Sequence, residues 1–360
     1  MSPTDAVTTE VERSPGRIRF PRISPRAYEH PADRGALGTL RQVPGFPEVL
    51  RAVSGAFGER SERLMYLGSS IRVGPKQYPA LHDIRQECAE ILDLDPAPQM
   101  FVARDPVPNA MTIGLDAPFI VLTTSLVEML DTEALRFVIG HETGHALSGH
   151  ALYRTMLLRM LGMVQGMSWT AIGYWGMRAI IFALLEWFRK AELSADRAGL
   201  LCGQDATVAL RAHVLLAGAI SPSDVDTAEF LKQASDYERA GDVRDSVLKL
   251  TRVMKLQHPL SVVRAAELQK WAASEEYRAV LAGEYPRRDE QPQSTWRDDL
   301  GAAAKSYRDS FAESTDPLAK VLSEVGGSLS DAAGKVWRRF NPGGDSAANG
   351  EPGAGGEPDA

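Results

Sequence analysis

The sequence predicts an α+β fold that is mostly helical and carries one small sheet. Three observations lead there. From Met100 to Thr124 short apolar runs alternate with Pro- and Asp-containing turns, the pattern of short strands. Beyond Glu133 almost every segment places apolar residues at helical spacing. A chain of 360 residues, 44% of them hydrophobic, can also bury one substantial core.

Residues 1–26 mix Pro, Ser, Arg and acids and predict a flexible segment without the apolar core of a signal peptide. Tyr28 to Leu94 predicts helices, broken around Pro44, Gly45 and Pro47. Strands are expected at Met100 to Ala103, Ala110 to Leu115 and Phe119 to Leu122. Asp131 and Thr132 are candidate N-caps for the next helix, with Glu133 in its first turn. Leu135, Val138 and Ile139 form its apolar face, and no proline interrupts Glu133 to His150. Gly140 and Gly144 each cost that helix about 1 kcal/mol. Their small size would let another backbone pack close. Residues 27–285 are expected to form one domain, with an apolar helical hairpin at 157–188. Residues 286–340 read as a helical extension, with Leu318, Val321, Leu322 and Val325 on one face. The Gly-, Pro- and acid-rich stretch 341–360 predicts disorder.

The most informative residues lie on the Glu133 helix: His141-Glu142-Thr143-Gly144-His145. Two histidines four apart project from one helix face, about 6 Å apart at Cβ. That spacing suits two nitrogens of a tetrahedral zinc site. Glu142, beside the first, could take a proton from a metal-activated water, as in the H-E-x-x-H pattern of zinc metalloproteases. The bland alternative is an amphipathic helix with core histidines.

A catalytic zinc needs a third protein ligand and an open position. His150 follows His145 by five residues, roughly 140° around a continuing helix, so it reads as a surface or outer-sphere residue. Glu192 and Asp196 are a better pair, again four apart. Glu192 could bind zinc, and Asp196 could accept a hydrogen bond from the far nitrogen of a ligand histidine. A solvated face, with Arg189, Lys190 and Arg197 pairing the acids, is the alternative.

With these residues in place, the chain resembles the HtpX-like and CAAX-prenyl-endopeptidase-like zinc metalloproteases, gluzincins whose third ligand is a glutamate. Five stretches carry the resemblance: Tyr28-Glu29-His30-Pro31 with Asp33-Arg34; Pro108 to Thr112; Val138 to His150; Ala191-Glu192 with Asp196-Arg197-Ala198; and His258-Pro259 with Arg264. The resemblance implies a zincin-like domain whose edge strand flanks the active-site helix. It implies one zinc per chain on His141, His145 and Glu192, with Glu142 as general base. Asn109, Ala110, Met111 and Thr112 would hold the substrate backbone. His258 is a candidate oxyanion donor, fourth ligand or structural histidine, and Arg264 could pair with a nearby carboxylate. The chain departs from HtpX-like members in lacking an N-terminal pair of membrane helices.

The expected activity is endoproteolysis by a zinc-activated water. The competing reading is a chaperone-like or scaffold protein that binds chains without cleaving them, for which Glu142 would be superfluous. Expected partners are polypeptides, unfolded or membrane-derived. A net charge of -7 offers no nucleic-acid signature. Cys88 and Cys202 are too few for a disulfide framework or a thiolate zinc site.

Met160 to Met177 contains no charged residue. If His145 and Glu192 share one metal, both ends of the intervening segment lie on one side of any bilayer. Two crossings need about 40 residues, more than Met160 to Phe188 provides. An interfacial hairpin or one folded on the domain remains, and Trp169, Tyr174, Trp175 and Trp187 suit either. The expected location is cytoplasmic with peripheral membrane contact. An alkaline carbonate wash is expected to release the protein from a membrane fraction; retention in the pellet would show integral insertion.

Overall fold

The computed structural model describes residues 16–41, 59–114, 117–166, 171–239 and 260–290. A 3-10 turn at Pro25–Ala27 leads into α1 (Pro31–Arg41). Then come α2 (Glu59–Ser69), β1 (Ile71–Arg72), α3 (Pro79–Ile91), β2 (Gln99–Ala103), β3 (Ala110–Ile113) and β4 (Phe119–Thr123). The helices α4 (Thr124–Met129), α5 (Thr132–Leu147), α6 (His150–Gly166), α7 (Ala171–Gly203), α8 (Ala206–Ala217) and α9 (Thr227–Arg239) follow. Past residues 240–259, α10 (Ser261–Ala272) and α11 (Glu275–Leu281) complete the described chain. The fold is α+β and mostly helical.

The sheet order is β1-β2-β4-β3. β2 and β4 run parallel, and β1 and β3 pair antiparallel on either side. Strand alternation sorts the side chains onto two faces. Met100, Val102, Ala110, Ile120 and Leu122 join the main core with α5 residues such as Val138 and Ile139. Phe101, Ile113, Phe119 and Val121 form a second cluster against Tyr66 of α2. In it the Phe101 and Phe119 rings meet edge-on, their centroids 5.6 Å apart. β1 is the strand that pattern reading missed: two exposed residues carry no alternation signal.

α5 starts where Asp131 accepts a hydrogen bond from the Ala134 N–H at 2.9 Å, a cap whose removal typically costs about 1 kcal/mol. It ends earlier than the proline-free run suggests. Gly149 adopts φ +70, a left-handed conformation that favours glycine, and terminates the helix. His150 therefore begins α6 and is freed from the helical position assumed for it.

α5 lies against α7 in close contact. A Cβ on Gly140 would stand 2.5 Å from Cys202 Cβ, and one on Gly144 would stand 2.4 Å from Ala198 Cβ. α6 and α7 pack together through Tyr153, Met156, Met160, Ile181, Leu184 and Trp187, so much of the apolar hairpin's composition goes into mutual burial. Its arms extend beyond 157–188, and α7 runs on to carry the Glu192 segment. Among the described residues, no helix is long and apolar enough to cross a membrane. The segments 1–15 and 291–360, and with them the C-terminal extension and tail, lie outside the described residues.

Because neither α5 nor α7 can give way at Gly144, Gly144→Ala is expected to cost about 1–3 kcal/mol in urea unfolding. Most of that loss should return in Gly144→Ala/Ala198→Gly; additive losses would contradict the close contact.

Candidate metal centre

Adjacent turns of α5 place His141 and His145 one above the other, facing α7. Their Nε2 atoms lie 3.1 Å apart. From α7, Glu192 Oε1 comes within 3.2 Å of His145 Nε2, and Oε2 within 3.6 Å of His141 Nε2. Among the described residues, these three side chains form the His/Cys/Asp/Glu group able to hold a metal ion. A tetrahedral site with bonds of about 2.0–2.1 Å has ligand–ligand edges of about 3.3–3.4 Å. The imidazole pair is close to that value, and with one carboxylate oxygen the three donor atoms all lie within 4.8 Å of one another.

The donors' protonation supports the fit. His141 Nδ1–H donates to Asp196 Oδ1 at 2.9 Å, which leaves its Nε2 with a bare lone pair. Burial lowers the His145 pKa to about 4, and His141 adds to the shift while Glu192 opposes it, so that ring is neutral. Lone pairs and a carboxylate then converge in a site no more than 5% exposed. A cation relieves that convergence, and a mixed imidazole–carboxylate set suits zinc.

The acids do not form a solvated face. Glu192 and Asp196 are buried and share Arg264 of α10. The guanidinium donates from Nε to Asp196 Oδ2 at 2.7 Å and from Nη2 to Oδ1 at 2.5 Å, a two-pronged pair. Its Nη1 lies 2.8 Å from Glu192 Oε2. Burial alone would raise both carboxyl pKa values. Arg264 and the neighbouring imidazoles outweigh it and hold both below the usual range. The same acids push Arg264 further up against the effect of burial.

Glu142 points from α5 toward β3. The Thr112 hydroxyl lies 2.7 Å from Glu142 Oε2, to which it donates, and 2.9 Å from the Glu142 carbonyl. Glu142 Oε1 stands 3.9 Å from His141 Nε2. The carboxylate is thus beside the metal position, not in the set of converging donors.

The other expected site residues fall on β3 or its approach. Asn109 accepts from Thr123 N–H at 3.0 Å and donates its own N–H to Thr123 Oγ1 at 2.8 Å. By antiparallel alternation Met111 and Ile113 also direct their backbone groups to β4, while Ala110 and Thr112 direct theirs to the outer edge. The Met111 side chain packs on the far face with Phe101 and Phe119. His258 lies outside the described residues, so no position is assigned to it.

Two contacts had no clear sequence signal. Thr112 reaches Glu142 across thirty positions of chain. His150, expected at a helix surface or in the outer sphere, brings its Nδ1 within 3.1 Å of His145 Nδ1 and is 2% exposed. Gly149 was the available clue.

A mostly helical α+β domain with a buried His–His–Glu cluster and an adjacent glutamate defines a metallopeptidase-type centre. Comparison with known proteins agrees. Residues 75–272 match the model of peptidase family M48. The chain is 36% identical over 261 residues to the plastoglobule-localized metallopeptidase 48 of Arabidopsis thaliana, covering 71% of this chain and 74% of that protein. It is 29% identical over 109 residues to a protease HtpX homolog of Caldanaerobacter subterraneus, covering 29% of this chain and 36% of that one. A similar homolog from Thermoanaerobacter pseudethanolicus is 28% identical over 109 residues, again 36% of its length. No solved structure matches significantly. The chain belongs to peptidase family M48 and is a metallopeptidase.

Arg264 offers a direct test of the electrostatics. Both carboxylates titrate lower in the folded chain than in the unfolded one. Their contribution is therefore complete above the unfolded range of about 3.9–4.3 and fades as pH falls through the folded values. Arg264→Gln leaves two buried carboxylates uncompensated and should cost about 3–5 kcal/mol in the metal-free protein. The loss should shrink as pH falls and the two acids protonate, so the gap from wild type in urea unfolding should be wider near neutral pH than in acid; a gap independent of pH would contradict the pairing.

Proposed function

We propose that this chain is a zinc-dependent endopeptidase that cleaves extended polypeptide segments, with its catalytic domain spanning residues 27–285. The observation that carries the reading is the convergence of His141 Nε2, His145 Nε2 and Glu192 beside the separately oriented Glu142. His141, His145 and Glu192 would hold the ion. When bound, zinc lowers the pKa of a water toward about 7 and polarises a peptide carbonyl.

The protein's own residues supply the rest. Glu142 accepts the proton of the attacking water and passes it to the leaving amine, a role worth typically about 10²–10⁴-fold. Thr112 fixes the carboxylate by donating to Oε2, which leaves Oε1 on the His141 side to take the proton. Asp196 and Arg264 hold the His141 ring and the Glu192 carboxylate in place, so little reorganisation accompanies reaction.

An extended peptide adds to the outer edge of β3, where Ala110 and Thr112 offer backbone donors and acceptors. Asn109 and Met111 support that edge from the β4 side. Ala110 and Thr112 are buried in this structure, so a bound peptide would have to displace what covers that edge. Main-chain recognition of this kind tolerates many sequences and suits unfolded or membrane-derived chains. The relative named as plastoglobule-localized supports a peripheral association with such a body.

Glu142→Gln with unchanged zinc content should lose nearly all degradation of unfolded casein while still binding it. Equal degradation by variant and wild type would remove Glu142 from the mechanism.

A further inference from the structure

We propose that His150 and Asp33 are positioning residues for the metal site, holding the His145 ring in the tautomer whose Nε2 is free to ligate. The inference rests on the reading of His145 as a metal ligand.

A continuous buried chain of polar contacts runs away from that ligand. His145 Nδ1 lies 3.1 Å from His150 Nδ1, and His150 Nε2 lies 3.2 Å from Asp33 Oδ2. The Ser194 hydroxyl donates to the same Asp33 oxygen at 2.6 Å and accepts the His30 backbone N–H at 2.9 Å. His145, His150, Asp33 and Ser194 are each no more than 3% exposed. Neighbouring rings fix the two imidazoles. Phe188 stacks on His145 with centroids 6.0 Å apart, and Trp187 meets His150 edge-on at 5.4 Å.

The polarity of this chain follows from its far end. The His30 amide can only donate, so Ser194 accepts it and spends its single hydroxyl proton on Asp33. An ionised Asp33 can only accept, so His150 must present Nε2–H to it. When a cation holds His145 Nε2, the proton of that ring sits on Nδ1, and His150 Nδ1 is the acceptor within reach. The chain of contacts thus fits the His145 tautomer that ligates through Nε2. The reverse polarity would point a proton from His145 Nε2 at Glu192 Oε1, 3.2 Å away, and close the site to a cation.

The arrangement differs from the other ligand's. His141 is oriented by Asp196 on α7 itself. His145 is oriented through a second imidazole by a residue of α1. Asp33 precedes residues 75–272, the stretch that matches the family model, so a segment outside that stretch becomes part of the metal site. Ser194 ties α1 to the same helix that supplies Glu192, which couples the docking of α1 to ligand geometry.

The test uses the full chain, with zinc affinity from chelator competition and the ring tautomers from two-bond 15N–1H correlations of the zinc-loaded protein. Wild type should show Nδ1–H on His145 and Nε2–H on His150. His150→Leu and Asp33→Asn should weaken zinc binding by about 10–100-fold. His150→Gln, whose amide accepts at one end and donates at the other, should recover most of that loss. A space-filling role would instead favour Leu over Gln. Nδ1–H on His150 in the loaded wild type, a measurement that needs no variant, would overturn the proposal, as would equal zinc affinity of the Leu and Gln variants. A wild type that binds no zinc overturns the ligand reading together with this one. Zinc binding unaltered by any of the substitutions overturns this one alone.

Discussion

The close approach of α5 and α7 is the constraint on which the site depends. One helix carries the two imidazoles and Glu142, and the other carries Glu192 and Asp196. A carboxylate as short as Glu192 meets two Nε2 atoms at once because the backbones come together at Gly140 and Gly144, where any Cβ would overlap Cys202 or Ala198. The helix-propensity cost of two glycines, about 1 kcal/mol each, is accepted in exchange for that geometry. The sheet, α3 and α8 then pack around the pair and keep it in register.

Close approach buries charge, and the electrostatics follow from that. Glu192 and Asp196 would resist ionisation in so dry a place without a buried cation. Arg264 supplies one, bridging both acids from a third helix. With the acids ionised, one faces the metal position and the other orients His141. Thr112 does for Glu142 what Asp196 does for His141, using a strand where the latter uses a helix. Each group that would touch metal or substrate is thus held by a partner from a different element. The arrangement is preorganised by tertiary structure, not by loop geometry.

The local parts of this design were readable in the sequence. The histidine pair, Glu142, and the acids at Glu192 and Asp196 occupy helical spacings, and a helix turns spacing into a shared face. The strand runs from Met100, Ala110 and Phe119 each landed within two residues of the observed strands because alternation and flanking turns are also local. β1 escaped because two exposed residues have no pattern. Of the surface and outer-sphere places read for His150, the structure gives the latter, because Gly149, whose positive φ turns the chain, brings that ring back onto His145. The contacts of Asp33 with His150 and of Thr112 with Glu142 escaped because the partners lie far apart in sequence, and no spacing rule reports contacts of that range.

The most direct test of the shared His–His–Glu centre is X-ray absorption at the zinc edge of the purified, loaded protein. The account predicts one zinc per chain with only nitrogen and oxygen neighbours at about 2.0–2.1 Å and an outer-shell pattern of two imidazoles. One light neighbour should be lost or replaced in Glu192→Ala. A sulfur neighbour at about 2.3 Å, an imidazole count other than two, or a spectrum unchanged by Glu192→Ala would contradict it.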